Sequence, residues 1–193
     1  MIDYLPAVNK SKRLDADKLE DELISIASGD KSALARFYGD TYNPIYSYVL
    51  SFLKNSYDTE DVLHDLYVSV YVNARSYKRG GKPMAWVFAI ARNMSLKKHS
   101  ERKRNADFED DDWEKLLPQD TLSLEEGCAV RACLTQLSRE EREIVVMHAV
   151  AGFMHKEIAA IMSLPLGTVL SKYNRAIKKL RLIYEGRIED ENS

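Results

Sequence analysis

Residues 82–104 read KPMAWVFAIARNMSLKKHSERKR, and the fold of the chain is most readily inferred from this segment. Pro83 suits the first turn of a helix, because its fixed φ is helical and its missing N–H has no intrahelical partner there. Successive residues of a helix lie about 100° apart, which places the apolar side chains on one face. That expected core face contains Trp86, Val87, Ile90, Ala91 and Met94. The segment therefore predicts one amphipathic helix.

The opposite face of this helix is polar and cationic but carries one aromatic ring. It contains Phe88, Arg92, Ser95, His99 and Arg102. Six Lys/Arg and one Glu lie between residues 92 and 104. One interpretation is a core helix with a solvated basic end, where cations also suit the helix dipole. The other is a nucleic-acid surface, where cations contact phosphates and an exposed ring stacks on an unpaired base.

Composition and charge distribution favour a helical protein with segregated charge. The chain has 193 residues, enough for one domain or two small ones, and 45% of them are hydrophobic. Only 8 Gly and 5 Pro are present, which disfavours a turn-rich β architecture. The net charge of −2 conceals an acidic stretch, residues 105–126 with nine Asp/Glu and one Lys, and a basic one, residues 153–187 with seven Lys/Arg and two Glu. We expect an all-α protein.

The sequence predicts a cytoplasmic protein without membrane insertion. No apolar stretch is long enough to span a bilayer, and the N-terminus lacks a signal-peptide core. Cys128 and Cys133 have neither CxxC spacing nor a nearby pair of histidines. We therefore expect two buried thiols in a reducing compartment, and neither a metal site nor a cofactor.

The N-terminal part of the chain predicts further core helices. Residues 1–18 carry little pattern and are expected to form a disordered extension. Apolar residues spaced for a short helix follow in residues 19–26. Asn43 and Pro44 are expected to be the N-cap and first residue of a later helix, which continues through the apolar run 45–53.

The next predicted helix, residues 58–75 (DTEDVLHDLYVSVYVNAR), contains apolar residues on two faces. Asp58 is its expected N-cap. Its core face is expected to hold Val62, Leu63, Leu66, Tyr67, Val70 and Ala74. Its opposite face holds Asp61, His64, Asp65, Val68 and Val72. Valines in line with carboxylates indicate a protein-docking surface, unless the helix is buried on both sides in a larger core.

Residues 76–82, SYKRGGK, predict a basic loop that leads into the helix of residues 82–104. Gly80 and Gly81 allow the backbone to approach a ligand closely. The loop lacks the GxxxxGK[ST] pattern and a preceding predicted strand, which argues against a nucleotide-binding P-loop.

The acidic residues 105–126 predict a flexible linker between two domains. They show no sustained period, so we place the domains at residues 19–104 and 127–187, with a tail at 188–193. The linker is either a plain tether or a segment whose carboxylates compete with nucleic acid. Beyond it, Ser138 and Glu141 form a capping box that predicts a helix start.

Residues from 155 onward predict a helix, a tight connection and a longer basic helix, which is the order of a helix-turn-helix. The last helix is expected to bury Val169, Tyr173, Ala176 and Leu180. Its exposed face is expected to hold Ser171, Lys172, Arg175, Lys178 and Lys179. Such a face contacts guanine and phosphate in a DNA major groove.

The order of these elements resembles that of bacterial sigma factors of the extracytoplasmic-function (ECF) group. The resemblance covers about residues 23–184 and rests on ALARFYGDTYNPIYSYVLSFL, DTEDVLHDLYVSVY, KPMAWVFAIARN and QLSREEREIVVMHAVAGFMHKEIAAIMSLPLGTVLSKYNRAIKKL. In that family one domain, region 2, binds the clamp of core RNA polymerase and opens the −10 element, and another, region 4, binds the −35 element. The resemblance implies core RNA polymerase, promoter DNA and an anti-sigma factor as partners, without catalysis or a small-molecule substrate.

The resemblance also implies roles for particular residues. Those for polymerase binding are Asp61, His64, Asp65, Val68 and Val72. Those for −10 DNA are Tyr77, Lys78, Arg79, Lys82, Phe88, Arg92, Ser95, His99 and Arg102. Those for −35 DNA are His155, Lys156, Thr168, Ser171, Lys172, Asn174, Arg175, Lys178 and Lys179. The chain departs from the family where Met154 replaces a frequent Ser or Thr cap and Leu170 replaces a frequent Lys or Arg.

The alternative is a free-standing helix-turn-helix regulator whose N-terminal domain senses a ligand or receives a phosphoryl group. It accounts equally well for residues 153–184, but not for the apolar stripe that contains Val68 and Val72. A phosphoacceptor domain also requires alternating strands and helices, which this sequence does not predict. An enzyme is disfavoured further, because the sequence shows neither a nucleophile–base set nor metal-ligand spacing.

Overall fold

The computed structural model describes residues 15–105 and 134–184, and within these ranges it is helical and contains no strand. The α-helices are α1 (Ala16–Ala27), α2 (Lys31–Leu53), α3 (Ser56–Asn73), α4 (Pro83–Asn105), α5 (Arg139–Ala149), α6 (His155–Met162) and α7 (Leu166–Tyr184). A 3₁₀ turn, Ala74–Ser76, follows α3. The predicted all-α class is confirmed for the described residues. Most of the N-terminal extension, nearly all of the acidic linker, both cysteines and the tail lie outside them, and the domain boundaries stay predictions.

Helix α2 is longer than the sequence predicts, because it continues through Pro44. Proline removes one backbone hydrogen bond from a helix interior. Packing offsets that loss, since Phe37, Thr41 and Ile45 are fully buried on both sides of the proline. Asp30 caps the helix by accepting a hydrogen bond from the Ser32 N–H at 2.8 Å. The prediction that Asn43 and Pro44 begin a helix is therefore wrong.

Helix α3 begins two residues earlier than predicted. Asn55 is its N-cap and accepts a hydrogen bond from the Asp58 N–H at 2.8 Å, so the assignment of Asp58 as the cap is wrong. Asp58 instead accepts from Lys98 Nζ at 3.2 Å and Arg102 Nη1 at 3.0 Å. This carboxylate joins α3 to the basic half of α4.

Helix α4 begins at Pro83 as predicted and contacts α1, α2, α3 and α6. Its buried side chains include Val87 and Ala91 from the predicted core face, but also Phe88 and Ser95 from the predicted polar face. A helix surrounded on several sides buries more than one stripe of residues. The predicted amphipathic pattern therefore accounts for only some of the buried side chains of α4.

The C-terminal half forms the predicted helix-turn-helix. The capping box at α5 is confirmed, with Ser138 and Glu141 exchanging hydrogen bonds at 3.0 and 3.3 Å. The side chain of Met154 does not cap α6, but Glu157 accepts the Met154 N–H at 2.8 Å. Helix α7 buries Val169 and Ala176 completely, as its spacing predicts.

The two halves pack against each other through α2 with α5 and α4 with α6. One apolar cluster contains Phe37 and Phe88 of the N-terminal half together with Phe153 and Ile158 of the C-terminal half. None of the helices in the described ranges is both long and apolar enough to cross a lipid bilayer.

Candidate polymerase and DNA surfaces

The outer face of α3 is exposed, as a docking surface requires. Its predicted residues are Asp61, His64, Asp65, Val68 and Val72, and all five are exposed. Val68 is 52% and Val72 67% accessible to solvent. The predicted core face of this helix is buried throughout. The alternative of a helix buried on both sides is therefore wrong.

A groove of about 420 Å³ extends this face onto α2. Its lining residues are Leu34, Tyr38, Glu60, Leu63, His64, Tyr67, Val68 and Tyr71. The Tyr38 ring lies 5.1 Å from that of Tyr42 and 4.6 Å from that of Tyr67 between centroids. Our sequence analysis missed this groove, although Tyr38, Tyr42 and Tyr46 recur at a four-residue spacing that places them on one face of α2.

Carboxylates border the exposed valines, and one of them already has a cationic partner. Asp61 accepts a hydrogen bond from Lys98 Nζ at 2.9 Å. That bond raises the pKa of Lys98 against the opposing effect of burial. Glu60, which lines the groove, accepts from the Tyr42 hydroxyl at 3.0 Å. The face is therefore apolar at its centre and acidic at its edges.

A carboxylate from α1 fixes the loop of residues 77–82. Glu20 Oε1 accepts hydrogen bonds from the Tyr77 hydroxyl at 2.9 Å and the Gly80 N–H at 2.7 Å. Burial and this carboxylate raise the pKa of Tyr77. A Cβ on Gly81 would lie 2.9 Å from the Lys78 carbonyl oxygen, so the turn requires glycine there. The sequence pattern did not reveal Glu20 as the partner of this loop.

Lys78 and Arg79 project from the loop into solvent. They therefore present two cations beside the start of α4, where phosphates can reach them.

Phe88 is not the exposed ring that the sequence predicts, because it is 0% accessible to solvent. Its ring lies between Tyr48 of α2, at 5.1 Å, and Phe153 of the C-terminal half, at 4.9 Å. Ser95 is also buried and donates its hydroxyl hydrogen to the Ala91 carbonyl at 2.8 Å. The physical reason for the error at Phe88 is the packing of the C-terminal half on this side of α4.

Two predicted DNA-binding cations pair with carboxylates of the C-terminal half. Arg92 Nε donates to Glu143 Oε2 at 3.1 Å, and the side chain of Glu143 is only 1% accessible. Burial raises the pKa of Glu143, although Arg92 opposes that shift. Lys82 forms an ion pair with Glu157. Together with Phe153, these carboxylates occupy the predicted −10 surface.

The two remaining predicted −10 residues of α4, His99 and Arg102, contact side chains of other helices. The His99 ring packs edge-on against Phe52 at 6.1 Å, and burial together with the nearby Arg139 lowers its pKa. Arg102 reaches Asp58 of α3. These two side chains lie close to the junction of α4 with other helices.

The outer face of α7 presents polar and cationic groups as predicted. Ser171, Asn174, Arg175 and Lys178 are exposed on it. Lys172 pairs with Glu140 at 2.7 Å and Lys179 with Glu141 at 2.9 Å, so carboxylates of α5 orient two of its cations. Thr168 is half-buried in the first turn of the helix.

Two leucines on the same part of α7, Leu166 and Leu170, are also exposed. They are four residues apart and share one face of the helix with Asn174. Apolar side chains on a groove-reading helix contact the methyl group of thymine.

His155 lies in an aromatic cluster rather than on the exposed surface of the helix-turn-helix. Its ring stacks on His148 at 4.5 Å and meets Tyr173 edge-on at 4.6 Å. Its Nε2 is buried without a hydrogen-bond partner, and burial together with His148 lowers its pKa. The adjacent Lys156 is exposed. In the described residues no group of three or more His, Cys, Asp or Glu side chains is placed to hold a metal ion.

Comparison with protein families finds two matches along the chain. Residues 37–105 match the family Sigma-70 region 2, and residues 129–180 match Sigma-70, region 4. A curated relative, the ECF RNA polymerase sigma factor EcfG of Rhodopseudomonas palustris (strain TIE-1), is 30% identical over 148 residues. That alignment covers 75% of this chain and 81% of the relative.

Solved structures that share this fold include two sigma-factor complexes. The structure of CnrH in complex with the cytosolic domain of CnrY has a TM-score of 0.66 at 22% identity, over 90% of this chain and all of that one (100%). The sigma factor RpoE of Bartonella quintana, in complex with the anti-sigma factor NepR, has a TM-score of 0.66 at 21% identity. That alignment covers 88% of this chain and 98% of RpoE.

Proposed function

The chain belongs to the ECF RNA polymerase sigma factors, and we propose that it binds core RNA polymerase and directs it to promoters as an alternative sigma factor. Members of this family are transcription initiation factors, and the polymerase performs the chemistry. The chain's own contribution is then to hold the polymerase on one surface and promoter DNA on two others.

The observation that carries this proposal is the exposed stripe on α3. Val68 and Val72 lie in water on a helix whose other face fills the core. Exposed apolar residues between carboxylates indicate a surface that a protein partner covers. The groove at Tyr38 and Tyr71 enlarges this surface. We assign it to the polymerase clamp, with the carboxylates Asp61 and Asp65 meeting cationic side chains of that partner.

The helix-turn-helix supplies the −35 surface in this proposal. Helix α7 presents Arg175 for guanine and Asn174 for adenine, the pairings that the edges of these bases favour in a major groove. The exposed Leu170 then meets a thymine methyl group. Lys178 and Lys179 lie farther along the helix and meet phosphates. Salt bridges to carboxylates of α5 hold the side chains of Lys172 and Lys179 in position.

The basic loop and α4 supply the −10 surface. Lys78 and Arg79 are already exposed beside Tyr77 and Lys82. Phe88 and Arg92 reach DNA only after the C-terminal half has moved away, since it covers them in the free chain.

An anti-sigma factor restrains the chain in the cytoplasm in this proposal. Its support is that the two solved structures compared above are complexes, one with the cytosolic domain of CnrY and one with the anti-sigma factor NepR. A free-standing regulator with the same helix-turn-helix does not require the exposed valines on α3.

The test is reconstitution with core RNA polymerase. The tagged chain should retain core polymerase on an affinity column, and the purified complex should initiate transcription at discrete start sites on genomic DNA, whereas core polymerase alone should not. A chain that binds DNA and alters transcription without binding core polymerase would instead support the regulator.

A further inference from the structure

The loop that carries Lys78 and Arg79 is held by a side chain far away in the sequence. Glu20 of α1 lies 57 positions before Tyr77 and 60 positions before Gly80. Its Oε1 nevertheless accepts the Tyr77 hydroxyl at 2.9 Å and the Gly80 N–H at 2.7 Å. Hydrogen bonds to an ionised carboxylate are stronger than those between neutral groups. One oxygen atom of α1 thus holds the loop on both sides of its two exposed cations.

The same loop has little room to shift within its own turn. The Tyr77 ring packs edge-on against Trp86 of α4, with 5.6 Å between the ring centroids. The Gly81 N–H donates to the Lys78 carbonyl at 3.2 Å. A Cβ on Gly81 would lie 2.9 Å from that carbonyl oxygen and 3.0 Å from the Tyr77 hydroxyl oxygen. The turn therefore closes tightly against the hydroxyl group that Glu20 holds.

We propose that Glu20 is a positioning residue for −10 recognition, which fixes the turn so that Lys78 and Arg79 meet the −10 DNA but does not contact the DNA itself. Holding a loop in its bound conformation removes the cost of ordering it when the ligand binds. The inference rests on the proposed function, because that proposal assigns the loop to the −10 surface. It adds a residue of α1 that precedes residues 37–105, the part matched to Sigma-70 region 2.

The charge of Glu20 gives the effect of its removal a definite direction. A carboxylate beside cations that contact phosphates repels DNA, so its loss should strengthen binding by charge alone. Positioning predicts the opposite, since the released turn has to be ordered again whenever DNA binds. The direction of the change in affinity therefore separates the two effects.

The first experiment measures DNA binding by the holoenzyme reconstituted from the full-length chain and core polymerase. One probe is a promoter duplex mismatched across the −10 element, taken from a start site that the reconstitution maps. The other differs only in a scrambled −10 sequence, and the ratio of the two affinities measures −10 discrimination. If the released turn adopts its bound conformation about a tenth of the time, Glu20→Ala should lower both the affinity for the first probe and the ratio about tenfold.

Asp21→Ala is the matched control, because Asp21 is the next residue of α1, is exposed and carries the same charge. It should keep the ratio and raise both affinities by less than about threefold. Glu20→Gln should keep most of the discrimination, since its amide oxygen still accepts both hydrogen bonds. A purely structural role would lower core-polymerase retention and −35 binding in parallel, whereas Glu20→Ala should leave both at the wild-type level.

The second experiment displaces the turn from its other side and does not depend on how Glu20→Ala folds. Gly81→Ala adds a methyl group that meets the Lys78 carbonyl. Glu20 itself is unchanged in this variant. The ratio of the two affinities should nevertheless fall, because the conformation of the turn is what the proposal requires.

The inference is overturned if Glu20→Ala keeps the ratio or strengthens binding to the first probe, or if Gly81→Ala keeps wild-type discrimination. The wild-type chain separates this result from a failure of the proposed function. A wild-type chain that retains polymerase and initiates at discrete sites keeps its function, and only the role of Glu20 is lost. A wild-type chain that does neither overturns the proposed function, and this inference with it.

Discussion

The outer face of α3 and the side of α4 proposed to contact DNA have similar sequence patterns but opposite environments. Each places apolar side chains in a row of charged ones, Val68 and Val72 beside Asp65 on α3 and Phe88 beside Arg92 on α4. The valines are exposed, whereas Phe88 is completely buried. The C-terminal half packs on α4 and leaves the outer face of α3 uncovered. Helical periodicity thus determines which residues share a face, while tertiary packing determines whether that face meets water.

The largest effect on stability should come from the covered face. Phe88→Ala removes a fully buried ring and should lower the free energy of unfolding by about 3–5 kcal/mol. Val72→Ala, on the uncovered face, should change it by no more than about 0.5 kcal/mol. Chemical denaturation of both variants measures the contrast. Equal stabilities would mean that Phe88 does not pack as the structure shows.

The uncovered face should show the converse behaviour, with binding lost and stability kept. Val68→Asp or Val72→Asp places a charge in the proposed polymerase contact and should weaken binding of core polymerase by about 2 kcal/mol or more, about 30-fold. Val72→Thr, which nearly keeps the shape and adds no charge, is the control and should retain most of the affinity. Titration of labelled core polymerase gives the affinities, and unchanged binding by both Asp variants would reassign the stripe.

Helix α7, the proposed −35 recognition helix, extends the comparison to a second uncovered face. If Arg175 contacts guanine through both nitrogens, Arg175→Ala should cost about 1–3 kcal/mol of binding and relax the preference at one −35 position. Lys178→Ala should instead weaken binding to every sequence and reduce the slope of log affinity against log salt by about one. The assay is holoenzyme binding to duplexes mutated across the −35 element. A uniform loss for Arg175→Ala would make it a phosphate contact.

The smallest effect concerns pH and the partly buried ring of His155. Its pKa in the folded chain is lowered from 6.5, so just below that pH the unfolded chain binds more protons. The free energy of unfolding should therefore fall as the pH drops through this range. His148 and Tyr173 face the ring, and Lys156 follows it.

His155→Gln tests this contribution, because it removes the titrating group. Urea denaturation of the variant and the wild-type chain at several pH values between about 7.5 and 5.5 should show a weaker pH dependence in the variant. His99, whose pKa is also lowered, should account for part of what remains. Identical pH profiles would show that His155 does not contribute.

The sequence by itself determined the helical class and much of the local structure. Helical spacing identified the core residues of α3 and the buried side of α7, because the periodicity of a helix is a local property. Ser138 and Glu141 marked the start of α5, because a capping box forms between residues three positions apart. The same periodicity placed Val68 and Val72 together on the opposite side of α3.

Only the tertiary structure decided which residues that lie far apart in the sequence come into contact. Pro44 lies inside a continuous helix because packing around it offsets the lost hydrogen bond. Glu143 meets Arg92 across 51 positions, and Phe153 meets Phe88, although nothing in their local sequence indicates a partner. Helical periodicity relates only residues on neighbouring turns of one helix. Burial of a residue depends on which distant elements of the chain pack against it. The accessibility of the proposed −10 surface was therefore decided by the packing of the two halves and not by the pattern of α4.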